Sequence, residues 1–132
     1  MREMRDMAGD RSRRASIREE RLRATAGLRE PPALTSWRGL SGRRYVVGVH
    51  ALGETDIEEL TDAVLIAVER AGDGTAKVLD VAAPGAQTPS RSRSGWLSRM
   101  RARGATEMHV HRLAASEEER RAVVADLHEQ AS

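Results

Sequence analysis

Trp37, Tyr45 and Trp96 are the only aromatic side chains in 132 residues, and phenylalanine is absent. Aromatic rings bring the largest apolar area into a core. A chain this poor in them must build its interior from Val, Ile, Leu and Met, and these are unevenly spread. Residues 1–30 carry few large apolar side chains (Ile17, Leu22, Leu28) among many Arg, Glu, Asp and Ala. That is too little apolar surface to offset the entropy of ordering the chain. Residues 1–36 therefore read as an Arg-rich tail, disordered or helical, which closes on Pro31-Pro32, where a helix has to end. Residues 37–132 read as a single domain.

Within that domain three β-rich runs alternate with three helical ones. Residues 44–52, with Tyr45, Val46, Val47 and Val49, predict a first strand. Residues 55–71 predict a helix: Thr55 and Glu58 form a capping box, Gly72 stands where a C-cap glycine belongs, and Ile57, Leu60, Val64 and Val68 recur at helical spacing. Residues 75–82 predict a second strand after the Asp73-Gly74 turn. The Pro- and Ser-rich stretch 84–94 predicts a flexible basic insertion. A short basic helix over 95–103 follows, ended by Gly104, and then a third strand over 105–113. Ser116 and Glu119 form a second capping box, opening a helix that buries Val123, Val124 and Leu127. The order βαβαβα predicts a small three-stranded α/β layer domain with parallel neighbours. The rival is a split βαβ, ferredoxin-like α+β sheet with one more strand in 31–42 or 84–94. A three-stranded sheet leaves two edges to cover, so a homodimer is expected.

The net charge of +2 conceals strong segregation. Residues 1–30 hold nine arginines against six acids, and 31–44 add Arg38, Arg43 and Arg44. Residues 45–83 hold Arg70 and Lys77 against eight acids, whereas 84–112 hold six arginines against Glu107 alone. Steering of a charged partner depends on such patches more than on net charge. Arginine supplies 21 of the 22 cations, a ratio that a GC-rich bacterial genome also produces. Where the arginines cluster is therefore more informative than their number. Arg91, Arg93, Arg99, Arg101 and Arg103 fall in one basic loop and helix beside Trp96, with Arg43 and Arg44 as a second basic group. Planar guanidinium forks suit phosphate, and each phosphate neutralised releases counterions.

Several function classes drop out. No stretch is long and apolar enough to span a bilayer, and no secretory leader is recognisable. Without cysteine there is no disulfide, thiolate metal site or cysteine nucleophile. The expected setting is the cytoplasm. Neither a G-x-S-x-G elbow nor a GxxxxGK[ST] loop occurs, so serine hydrolysis and nucleotide hydrolysis lack their signatures.

The third strand adds a different chemistry. Glu107, His109 and His111 alternate onto one face, where two imidazoles and a carboxylate could hold a divalent metal. If strand faces align, His50 and Asp80 would join them. A polar strand face turned to water explains the same residues. His109-Val110-His111 has the His-hydrophobic-His form and in that form resembles the HUH endonucleases. That resemblance implies a ferredoxin-like fold, a metal on the two imidazoles and a helical tyrosine nucleophile. The only tyrosine, Tyr45, lies upstream on a predicted strand. The reading that follows is a small, non-catalytic binding protein contacting nucleic acid or another polyanion, with no cofactor. A protein–protein adaptor or assembly subunit whose N-terminal tail orders on a partner is the second reading, and an acidic protein surface is the alternative contact for the basic segment. A metal-dependent nuclease using His109, His111 and Glu107 is the third.

Overall fold

A computed structural model describes residues 17–21, 33–54, 57, 60–85 and 87–128. Its frame is a six-stranded sheet of β1 (Arg18–Arg21), β2 (Leu34–Arg38), β3 (Arg44–Ala51), β4 (Val64–Arg70), β5 (Ala76–Ala82) and β6 (Glu107–His111). The strands lie in the order β1-β2-β3-β6-β4-β5, and every neighbouring pair is antiparallel. Among the described residues two α-helices complete it, α1 (Ser90–Ala102) and α2 (Glu117–Leu127). The sheet curls until Glu19 on β1 reaches Arg70 at the end of β4.

The three-stranded βαβαβα layer with parallel neighbours is therefore overturned. The decisive segment is 55–71, which does not form one helix: Leu60 and Thr61 are irregular, and Val64–Arg70 is strand. Ile57, Leu60, Val64 and Val68 do recur at helical spacing, but Leu65, Ile66 and Ala67 between them are equally apolar. All five residues from Val64 to Val68 are buried. A short continuous apolar run fits a strand covered on both faces as well as it fits a buried helix. Here the run is mostly β-branched or Leu, and it sits between β6 and β5.

A strand does lie within 31–42, but it joins a wholly antiparallel sheet. Arg18–Arg21 is also strand, where the tail was expected to be disordered or helical; the expectation for 1–16 and 22–32 lies outside the described residues. The stretch 84–94 predicted as a flexible insertion is helical from Ser90 onward, where α1 begins.

The core divides by sheet face, following the two-residue period of the strands. Leu65, Ala67, Met108 and Val110 point toward α1 and pack with its Leu97 and Met100. Val64, Ile66, Val68, Trp37, Tyr45 and Val47 point the other way and pack with Val123 and Leu127 of α2. Helix ends are set locally. The Ser116 hydroxyl accepts from the Glu119 amide at 3.1 Å, and the Glu119 carboxylate returns to the Ala115 amide at 3.4 Å. At the end of α1 the Gly104 amide donates to Arg101 O and the Ala105 amide to Met100 O. Gly104 holds φ +107° there, the left-handed conformation this helix stop requires. Among the described residues no helix is long and apolar enough to cross a membrane.

Candidate functional site

The histidine strand is a central strand rather than a wet one. On β6, His109 pairs with Val49 and Ile66, while Met108 pairs with His50 and Ala67. Glu107, His109 and His111 thus share the face turned toward α2, and His50 lies on the opposite face. Asp80 is committed elsewhere: it accepts from the Trp96 indole at 2.7 Å and meets His128 at 3.2 Å. The five-residue convergence of His50, Asp80, Glu107, His109 and His111 does not form.

His109 is fully buried. The Trp37 indole N–H donates to its Nδ1 at 2.9 Å. An indole nitrogen can only donate, so Nδ1 carries the lone pair and Nε2–H donates to Glu107 at 2.8 Å. Arg70 then grips Glu107 through Nε and Nη2 at 3.1 and 2.9 Å, and Glu19 through Nη1 and Nη2 at 2.7 and 3.0 Å. The result is a chain Trp37–His109–Glu107–Arg70–Glu19 that crosses β2, β6, β4 and β1. Burial pushes the His109 pKa down and outweighs the pull of Glu107, so the ring is neutral. Arg70 holds Glu107 below the usual carboxylate range. At Glu19 burial opposes ionisation, but Arg70 prevails.

These residues do not fit a metal centre. Both His109 nitrogens are engaged, and His111 Nδ1 donates to the Val46 carbonyl at 2.8 Å. Among the described residues no three His, Asp or Glu side chains are placed to hold an ion. The tyrosine is equally committed. Tyr45 O–H donates to Asp126 at 2.7 Å, its ring stands edge-on to His111, and burial together with that carboxylate pushes its pKa up to about 12.

The neutral His109 has a measurable consequence. Its folded pKa lies below the ordinary 6.5, so below pH 6.5 the unfolded chain takes up a proton that the folded chain refuses. Stability therefore falls on acidification, by at most about 1.4 kcal/mol per pH unit. Glu19, Glu107 and Asp126, whose folded pKa values are lowered, stabilise at neutral pH and lose that contribution only on further acidification. Urea titrations should show lower stability at pH 5.5 than at pH 7.5 in the natural protein, and a smaller difference in His109→Gln. An equal difference in both proteins would assign the slope elsewhere.

The arginines predicted to meet an anion are not equivalent. Arg91, Arg99, Arg101 and Arg103 are exposed on α1 and its C-terminal cap. Among the described residues none of the four has a carboxylate partner. Arg93 is turned inward, buried, and donates to the Thr88 carbonyl. Arg43 is exposed beside Asp126. Arg44 is paired with Glu20 at 2.8 Å. The remaining contacts follow the same division. Arg18 and Arg38 pair with Glu20, Arg70 with Glu19 and Glu107, Arg120 with Asp62, and Arg121 with Glu117. Sequence reasoning passed over Arg18, Arg38, Glu20 and Arg70. Their grouping depends on strand register, which no local spacing reveals. Comparison with known protein families, curated proteins and solved structures found no match for this chain.

Proposed function

We propose that this protein binds nucleic-acid backbone through the exposed arginines of α1. The observation that carries the reading is that Arg91, Arg99, Arg101 and Arg103 lack carboxylate partners among the described residues, while six other arginines are matched to one. A second feature supports it. The first turn of α1 has Arg91 and Arg93 but no acidic residue and no side-chain cap. Cations are unfavourable at a helix N-terminus. A phosphate near that turn would reverse the penalty and meet free backbone amides as well. Arg99 and Arg101, in the last turn, sit where the helix dipole already favours them. Arg93 is removed from the contacting set of α1 by its burial.

Contacts of this kind are sequence-tolerant and screened by salt. Three or four phosphates met on a duplex correspond to a slope of about −3 to −4 in log affinity against log salt. Fluorescence anisotropy with labelled single- and double-stranded oligonucleotides should show that linear decline. The double reversal Arg99→Glu/Arg103→Glu should weaken binding about tenfold or more at low salt and reduce the slope by about 2. Failure of the natural protein to bind at low salt, or undiminished binding by the double reversal, overturns the reading. The first of those results would redirect the search to an acidic protein surface.

A further inference from the structure

Three arginines stand in a row across the sheet. Arg18 is opposite Arg38, and Arg38 is opposite Arg44. Neighbouring strands lie about 4.8 Å apart, so the row places three like charges within about 10 Å on one sheet face. Like charges directly opposite one another destabilise a sheet unless something compensates them. Among the described residues the compensation is one carboxylate. Glu20 accepts from Arg18 Nε at 3.0 Å and from Arg38 Nε and Nη2 at 2.9 and 3.3 Å, and it forms an ion pair with Arg44, whose Nε lies 2.8 Å away. Arg38, first among these partners, draws the Glu20 pKa down to about 2, so the carboxylate is ionised at every physiological pH. Three cations and one anion leave a surplus of two positive charges.

The geometry leaves that surplus reachable. Arg18 and Arg44 meet Glu20 through Nε, and their side chains remain 62 % and 60 % exposed. Arg38 has its second amino group on the Gly42 carbonyl, which fixes the middle of the row. Toward β6 the same face continues as a shallow groove of about 240 Å³, lined by Leu34, Val46, Gly48, His50, Val110 and Arg112. Arg44, Val46, Gly48 and His50 alternate along β3, so the row and the groove are continuous. Gly48 presents no side chain there, and only His50 would lie near an added Cβ.

The geometry points to a phosphate-ester site on this sheet face, separate from α1. The phosphate is held by the Arg18–Arg38–Arg44 row, and the organic body lies along Val46 and Gly48 toward His50. Glu20 occupies the centre of the row as an internal anion and competes with the ligand. A phosphate dianion matches the surplus charge, and guanidinium edges match its oxygens.

The test uses the full chain and NMR of the arginine Nε–Hε groups. Titration with inorganic phosphate should shift Arg18, Arg38 and Arg44 saturably, while sodium chloride at equal ionic strength should not. Glu20→Gln should tighten phosphate binding about fivefold, the scale of one exposed charge interaction. Arg44→Gln should weaken it. Glu20→Gln keeps β1 in place, because the Glu20 backbone carbonyl still accepts from Ser36 Oγ at 2.7 Å. Adenosine 5′-monophosphate should bind more tightly than inorganic phosphate and shift the Val46 and Gly48 amides. Shifts proportional to ionic strength alone, or an unchanged affinity in Glu20→Gln, overturn the site. No gain with the nucleotide overturns the groove's part in it. The Arg99→Glu/Arg103→Glu protein should bind phosphate normally, which separates this result from the α1 reading. In that variant, an oligonucleotide that shifts the same guanidinium signals identifies backbone phosphate as the source. One that leaves them unmoved identifies a free phosphate ester.

Discussion

Gly39→Val is expected to destabilise the fold by about 3 kcal/mol. A Cβ at Gly39 would lie 2.2 Å from Asp126 Oδ2, 2.6 Å from its Cγ and 3.0 Å from its backbone oxygen. The carboxylate has to leave. In its present position it accepts from the Ser41 amide, the Ser41 hydroxyl and the Tyr45 hydroxyl, each at 2.7 Å. Burial opposes its ionisation, but these donors hold its pKa below the usual range. Leu40 N–H also donates to the Asp126 carbonyl at 2.9 Å. The β2–β3 turn is thus the clamp on the last turn of α2, and Gly39 is the space in which it closes. Chemical denaturation measures the loss. Gly53→Ala is the control, since an added Cβ there meets nothing within 4 Å and should change stability by less than about 0.5 kcal/mol. Equal stability of the two variants would remove the clamp from the account.

Arg70→Met should cost about 3 kcal/mol and release β1. Arg70 is 21 % exposed and, among the described residues, links the carboxylates of Glu19 and Glu107, which are 11 % and 21 % exposed. Removing the cation leaves two poorly solvated carboxylates and breaks the chain that begins at Trp37. Breaking a fully buried pair costs about 3–5 kcal/mol, and the partial exposure places this one at the low end. Because β1 has four residues and pairs only with β2, the loss should localise. Hydrogen exchange is expected to show the β1 amides losing protection well before those of β4 and β6. Uniform loss across the sheet would mean that Arg70 stabilises the whole sheet rather than fastening its edge.

Several elements were legible along the chain because their causes are local. The Ser116–Glu119 capping box, the Asp73-Gly74 turn and the Gly104 helix stop each rest on residues within a few positions of one another, and all three appear in the structure. The strands predicted at 44–52, 75–82 and 105–113 appear with their ends shifted by at most two residues. The segment 55–71 misled because helical spacing and an unbroken apolar run coincide in it, and only its placement between β6 and β5 decides between them. Arg18–Arg21 carries no apolar signal at all. Its strand is held by pairing with β2, by the Ser36 hydroxyl on the Glu20 carbonyl and by Arg70 on Glu19.

The candidate sites divide in the same way. Clustering of arginines over 91–103 is a property of sequence, and α1 with its C-terminal cap displays four of them because a helix sends successive side chains around its axis. The inward turn of Arg93 follows from the stripe it shares with Leu97 and Met100. Alternation put Glu107, His109 and His111 on one face, as strand geometry requires. What they face was decided by register, which brings Trp37 and Arg70 onto ring and carboxylate. The arginine row belongs wholly to tertiary structure: Arg18, Arg38 and Arg44 are 20 and 6 positions apart along the chain, and adjacent only because three strands pair. By itself the sequence determined local turns, caps, strand propensity and the density of charge. Tertiary structure alone decided which charges meet, because strand pairing joins residues that no local interaction holds together.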